Sequence, residues 1–260
     1  MKTALITGAC INTGVAIVEK FASEGYNVVF TGRNSENVLM AEQAYREKYP
    51  DVEIIGYTID SLLDERTVDE KAVDSMFEFL DKKDIFVETL VLNAADQGLG
   101  MKIFESPLTD LMRVINTNVV WNFYISECAA RRMKEKGGGN IVFLNSNTAY
   151  RAIPDRVAYV ASKGGQLGLM RALALDLGKY NIRVNAVLPG MIKTDRWEKN
   201  PDFYAKVPSR FTPIGDVAVG EDIADAVFYF AACARNTTGA ELVVDGGNTI
   251  QLYPIIPEEQ

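Results

Sequence analysis

Residues 3–14 read Thr3-Ala4-Leu5-Ile6-Thr7-Gly8-Ala9-Cys10-Ile11-Asn12-Thr13-Gly14. The first four are a β-prone, largely apolar run, and the glycines at 8 and 14 punctuate a turn. Apolar residues then return at helical spacing, at Val15, Val18, Phe21 and Ala22. A buried strand passing through a glycine turn into an amphipathic helix is the opening of a βαβ crossover. Glycines there allow a tight turn and bring the helix N-terminal amides close to an anion such as a pyrophosphate. A glycine turn can equally be a mere connection, so the rest of the chain must decide.

Working outward, the same alternation repeats. Short runs suited to strands lie at 27–31, 53–57, 89–92, 140–144, 182–187 and 241–244, and most are continuously apolar, as parallel strands buried on both faces require. Helical stretches fill the intervals near 35–48, 68–82, 109–136, 156–179 and 221–232. This predicts an α/β fold: one doubly wound, Rossmann-type parallel sheet of about seven strands with helices on both faces. No linker-like stretch interrupts 1–260, so one domain is expected, with a lid at about 191–215 and an extended tail at 249–260. The acidic stretch from Ser61 to Glu70 has no role in this scheme.

Composition narrows the function. Thirty-five acidic against 27 basic side chains give a net charge of −8, which repels nucleic acid and anionic lipid. Three scattered cysteines build neither a disulfide framework nor a CxxC metal site. No run approaches the ~20 apolar residues of a membrane span, and the N-terminus meets a glycine turn before any signal-peptide core. A cytoplasmic location is therefore expected. The chain has no histidine, which excludes Ser-His-Asp and Cys-His nucleophile systems and His-ligated metal sites, and no metal is expected. Acid–base chemistry near neutral pH must come from a perturbed Tyr, Lys, Cys or carboxylate.

The segment Ala158-Tyr159-Val160-Ala161-Ser162-Lys163 offers such a pair. Tyr159 and Lys163 are four apart and share one helix face. An ammonium beside a phenol favours the phenolate and should pull the Tyr159 pKa down. Ser146, thirteen residues before Tyr159, closes an apolar strand, where α/β sheets carry ligand-binding groups.

Together these residues resemble the short-chain dehydrogenase/reductase family, in particular 3-oxoacyl-carrier-protein reductases and sugar-alcohol dehydrogenases. The turn at 7–14 resembles the family's Thr-Gly-x-x-x-Gly-x-Gly fingerprint, with Asn12 at the second glycine position. Leu92-Asn93-Ala94-Ala95, Asn116-Thr117-Asn118-Val119, the segment 185–194 and Val244-Asp245-Gly246-Gly247 resemble further family segments in order along nearly the whole chain.

The resemblance implies a catalytic tetrad of Asn118, Ser146, Tyr159 and Lys163. Tyr159 would exchange the proton and Ser146 would bind the substrate oxygen. Lys163 would bind the nicotinamide ribose and activate Tyr159, and Asn118 would hold a water. Cofactor contacts are implied at Gly8, Asn12, Thr13, Gly14, Arg33, Asp60, Asn93, Ala94, Tyr159, Lys163, Pro189, Gly190, Ile192 and Thr194. Gly32 stands where an acid would pair with the ribose of NAD(H), and Arg33 follows, which favours NADP(H) while leaving NAD(H) open.

Lys193, Arg196, Trp197, Lys199, Phe203, Tyr204, Lys206 and Arg210 of the lid, with Asn145, Asn147 and Arg151, suggest a small-molecule substrate such as a sugar, polyol, hydroxy acid or 3-oxoacyl compound. Halohydrin dehalogenases, a related branch with Arg for the lysine, fit less well because Lys163 and the glycines remain. A catalytically silent dinucleotide sensor is the alternative from another class. The family further implies a homotetramer, or a dimer, and the four large apolar residues of the tail, which are costly to expose, predict that it is ordered against a neighbouring subunit.

Overall fold

The computed structural model describes residues 1–194 and 210–254, together with residues 197, 199 and 201. The chain begins β1 (Thr3–Ile6), α1 (Thr13–Ser23), β2 (Asn27–Gly32), α2 (Ser35–Lys48) and β3 (Ile54–Thr58). A hairpin of β4 (Leu62–Asp64) and β5 (Thr67–Val68) leads to α3 (Glu70–Lys82) and β6 (Thr89–Leu92). Helix α4 (Leu108–Ile115) runs through a π-turn (Asn116–Val120) into α5 (Trp121–Glu135), then β7 (Gly139–Leu144), α6 (Val157–Gly178) and β8 (Ile182–Pro189). Helix α7 (Gly220–Phe228), a second π-turn (Tyr229–Cys233) and β9 (Glu241–Val244) follow.

Seven strands form one parallel sheet in the order β3-β2-β1-β6-β7-β8-β9. Successive strand residues point to opposite faces, so Leu5 enters one core while Ala4 and Ile6 enter the other. On the first face Val73, Met76, Phe77 and Leu80 of α3, Trp121, Ile125 and Met133 of α5, and Leu167 and Met170 of α6 pack on the sheet. On the second, Ile17, Val18 and Phe21 of α1 pack with Ile223 and Val227 of α7. Asn34 and Asp69 cap α2 and α3, accepting from the backbone N–H of Asn37 and Ala72.

Strand order reverses between β1 and β6, and the crevice this opens at the carboxyl ends of the strands is where such sheets bind ligands. The acidic stretch without an assigned role forms the β4–β5 hairpin. Ser61 Oγ lies 3.3 Å from Thr117 Oγ1, and Asn116 Nδ2 donates to the Arg66 carbonyl, so the hairpin braces the first π-turn. Among the described residues no helix is long and apolar enough to cross a membrane.

Candidate active site

The turn after β1 is built on Thr7. Its Oγ1 accepts from the amides of Asn93 and Ala94, each at 3.0 Å, while Asn93 Nδ2 donates to the carbonyls of Thr7 and Gly8. The loops after β1 and β6 are thereby locked across the switch point. A Cβ on Gly14 would sit 2.6 Å from Ala9 Cα, so the close return of the chain requires glycine there. Asn12 adopts φ 51°, ψ −134°, a region that glycine favours. Its side chain caps nothing and the first turn of α1 carries no acid, so the helix amides face the crevice unopposed by negative charge. This donor set fits a pyrophosphate.

Around the crevice, Arg33 is exposed just beyond β2 and Asp60 just beyond β3, where its carboxylate accepts from Leu62 N. A Cβ on Gly32 would lie 2.5 Å from Cys10 Sγ and 2.8 Å from Val38 Cγ2, a packing reason for glycine at that position. Pro189 ends β8, and Gly190 presses so close to Asp245 that a Cβ would meet the Asp245 Cβ at 2.5 Å. Ile192 bridges to Ala218, and Thr194 accepts from Trp197 N. Arg196, Phe203, Tyr204 and Lys206 of the expected lid lie outside the described residues, as do residues 255–260 of the tail.

Ser146 follows β7 and is buried, and its Oγ accepts from Thr148 N at 3.2 Å. Tyr159 and Lys163 share one face of α6, with the Lys163 amine 5.5 Å from the Tyr159 ring centre. Lys163 is 1% exposed and donates to Leu144 O at 2.9 Å and Gln166 Oε1 at 3.1 Å. Burial brings its pKa down from the ordinary lysine value to about 7.

One expectation changes here. Burial pushes the Tyr159 phenol above its ordinary value, outweighing the opposing pull of Ser146 and Arg156, so the shift is upward and not downward as expected. The reason is shared: the surroundings that hold the pair also desolvate it, and an amine with a pKa of about 7 is only half charged at neutral pH.

Asn118 is fully buried in the π-turn. Its Nδ2 donates to Asp96 O and Ser162 Oγ, and its Oδ1 accepts from Asp96 N. The Asn118 carbonyl accepts from Gln166 Nε2 at 2.6 Å and Asn122 Nδ2 at 2.8 Å, which fills both lone pairs. The anticipated water-holding role therefore meets a carbonyl already engaged by two amides. Gln166, which sequence reasoning missed, lies at the centre of this network; its one signal was a polar residue three positions after Lys163 on a buried face.

The polar residues beside Ser146 also differ from expectation. Asn145 turns inward, donating to Lys163 O and Gln166 Oε1 and accepting from Ser146 N, while Asn147 donates to Asp245 and Asn248. Both are spent on the scaffold rather than on substrate. Asp245, named in the sequence only as part of a family segment, opposes burial with hydrogen bonds from Thr249, Gly247 and Asn147 that hold its carboxyl below the usual range. It ties the segment after β9 to the site. Arg151 stays at the rim, donating to Asn248 O.

A family model described as enoyl-(acyl carrier protein) reductase matches residues 8–249. A 3alpha-hydroxysteroid dehydrogenase of Mediterraneibacter gnavus is 35% identical over 246 residues, covering 94% of this chain and 96% of that protein. An NAD+-bound xylitol dehydrogenase structure superposes with a TM-score of 0.82 at 29% identity, covering 95% of this chain and 98% of its own. The structure of ElxO with NADP bound gives a TM-score of 0.86 at 26% identity, covering 96% and 99%. The chain belongs to the short-chain dehydrogenase/reductase family and is an oxidoreductase of that family.

Proposed function

We propose that the protein transfers a hydride between a nicotinamide dinucleotide, NADP(H) in preference to NAD(H), and a small carbonyl or secondary-alcohol substrate. The carrying observation is the convergence of three side chains: Ser146 at the end of β7, and Tyr159 and Lys163 on one face of α6, with the buried lysine amine 5.5 Å from the tyrosine ring centre and donating to Leu144 O. A tyrosine phenol so placed can give its proton to a carbonyl oxygen as the substrate is reduced. Relatives with NADP or NAD+ bound support the cofactor class, and exposed Arg33 beside Gly32 supports the 2′-phosphate.

Gly8, Asn12, Thr13 and Gly14 would hold the pyrophosphate, Arg33 the 2′-phosphate, and Asp60, Asn93 and Ala94 the adenosine half. Pro189, Gly190, Ile192 and Thr194 would hold the carboxamide end. When bound, the dinucleotide supplies the hydride acceptor or donor. Tyr159 gives its Oη proton to the carbonyl oxygen as the alcohol forms. Ser146 donates a hydrogen bond to that oxygen, a task worth on the order of 3 kcal/mol where charge develops. Lys163 stands behind Tyr159 and meets the ribose, and Asn118 holds the helices together.

Tyr159→Phe and Ser146→Ala test this reading. Tyr159→Phe should cost at least about 10²-fold in kcat while dinucleotide binding persists; Ser146→Ala should lose mainly kcat. If Tyr159→Phe kept more than about a tenth of wild-type kcat, the proton-transfer role would fail, since acid–base groups contribute about 10²-fold or more.

A further inference from the structure

We propose that Gln166 is a positioning residue for Lys163, a buried two-ended brace that fastens the lysine amine to the Asn118 carbonyl and to the strand end bearing Ser146. Gln166 is fully buried. Its Oε1 accepts from Lys163 Nζ at 3.1 Å and Asn145 Nδ2 at 3.2 Å, and its Nε2 donates to Asn118 O at 2.6 Å. The amide orientation is fixed, because the acceptor end faces two donors and the donor end faces a carbonyl. Three elements meet at this one side chain: the end of β7 through Asn145, α6 through Lys163, and the π-turn through Asn118.

The joint sits in the π-turn, where the carbonyl of Asn118 receives two side-chain amides. An amide keeps its protons, so this joint is a brace and not a conduit. Lys163 has three N–H bonds, and Leu144 O and Gln166 Oε1 take two, directing the amine to the side of α6 occupied by Tyr159. Around the amine, β7 and the π-turn present the Leu144 carbonyl, Asn145 and Asn118, none of them titratable, while α6 contributes Tyr159.

The inference rests on the catalytic reading of Lys163, but its test needs no turnover. In ligand-free protein labelled with 13Cε-lysine, the Lys163 resonance is identified by its loss in Lys163→Met and titrated in wild type, Gln166→Met and Gln166→Glu. Gln166→Met removes a charge-assisted acceptor and should lower the Lys163 midpoint by about one to two pH units. Gln166→Glu sets a carboxylate against the amine and should raise it.

A Gln166→Met protein whose Lys163 titrates as in wild type overturns the proposal even if it is less stable, because packing alone would then explain the residue. If Gln166→Met fails to fold, Gln166→Glu decides: a raised midpoint supports the brace and an unmoved one refutes it. Should Tyr159→Phe retain turnover while these midpoints move, the catalytic reading falls and the brace stands.

Discussion

Replacing Lys163 by methionine removes a buried amine whose pKa falls from the ordinary 10.5 to about 7 because burial disfavours its charge. The unfolded chain binds this proton more tightly than the folded one, so wild-type stability should rise with pH between about 7 and 10.5. At about 1.4 kcal/mol per pH unit, with the folded amine half titrated at the start, the gain from pH 7 to pH 9 is about 2 kcal/mol. Lys163→Met lacks this term. Whatever constant it gains from relieved burial or loses by exposing Leu144 O and Gln166 Oε1, its stability relative to wild type should fall by that 2 kcal/mol over the interval. Urea unfolding of both ligand-free proteins at pH 6, 7, 8 and 9 measures the difference directly, and titrations common to both cancel. A gap constant between pH 7 and 9 would refute the low amine pKa, together with the half-charged Lys163 at neutral pH.

Other consequences can be checked with simple variants. Asn12→Gly should relieve about 1 kcal/mol of backbone strain at positive φ and raise Tm by roughly 2–4 °C for a domain of this size; a lower Tm would contradict the assigned conformation. Reversing cofactor choice by Gly32→Asp with Arg33→Ser should require Cys10→Ala as well as a shift of the Val38 side chain, since Cys10 Sγ and Val38 Cγ2 both crowd the new Cβ. The triple variant should favour NAD(H), and equal kcat/KM for both cofactors in the unmodified protein would sink the role of Arg33. Truncation after Gln251 leaves the Thr249 donors on Asp245 and removes Leu252 and Tyr253, which are 81% and 77% exposed in the single chain. If the tail packs on a neighbouring subunit, light scattering should show a weakened tetramer; unchanged assembly and activity would make it an appendage.

The sheet was legible because parallel strands buried on both faces are written as unbroken apolar runs; their bounds moved only slightly, as where β3 begins at Ile54 and β8 extends to Pro189. The helix expected over 109–136 is real but carries the π-turn, which leaves no trace in apolar spacing because the flanking turns keep their periodicity. The β4–β5 hairpin was invisible because strands of three and two residues are too short for any alternation to be read. Ser146, Tyr159 and Lys163 could be found by spacing along the chain. Gln166 could not, since its meaning depends on Asn118, 48 residues away, and on the fold that brings them together. The Tyr159 shift was misjudged in direction for a similar reason: sequence names the neighbouring charge, whereas burial decides whether that charge persists.

The bonds that assemble the crevice span much of the chain. Thr7 holds Asn93 across 86 residues, and Asn147 is tied to Asp245 across 98. Closing such long loops costs entropy before any contact repays it, so sites of this kind mature late in folding. During synthesis the loop at 7–14 and the Ser146, Tyr159 and Lys163 side chains emerge first, yet the wall that Asp245 completes cannot form until β9 has left the ribosome and docked on β8. Partly made chains thus carry the proposed reacting groups without the enclosure that would let them work, and activity is expected only in molecules that have finished folding.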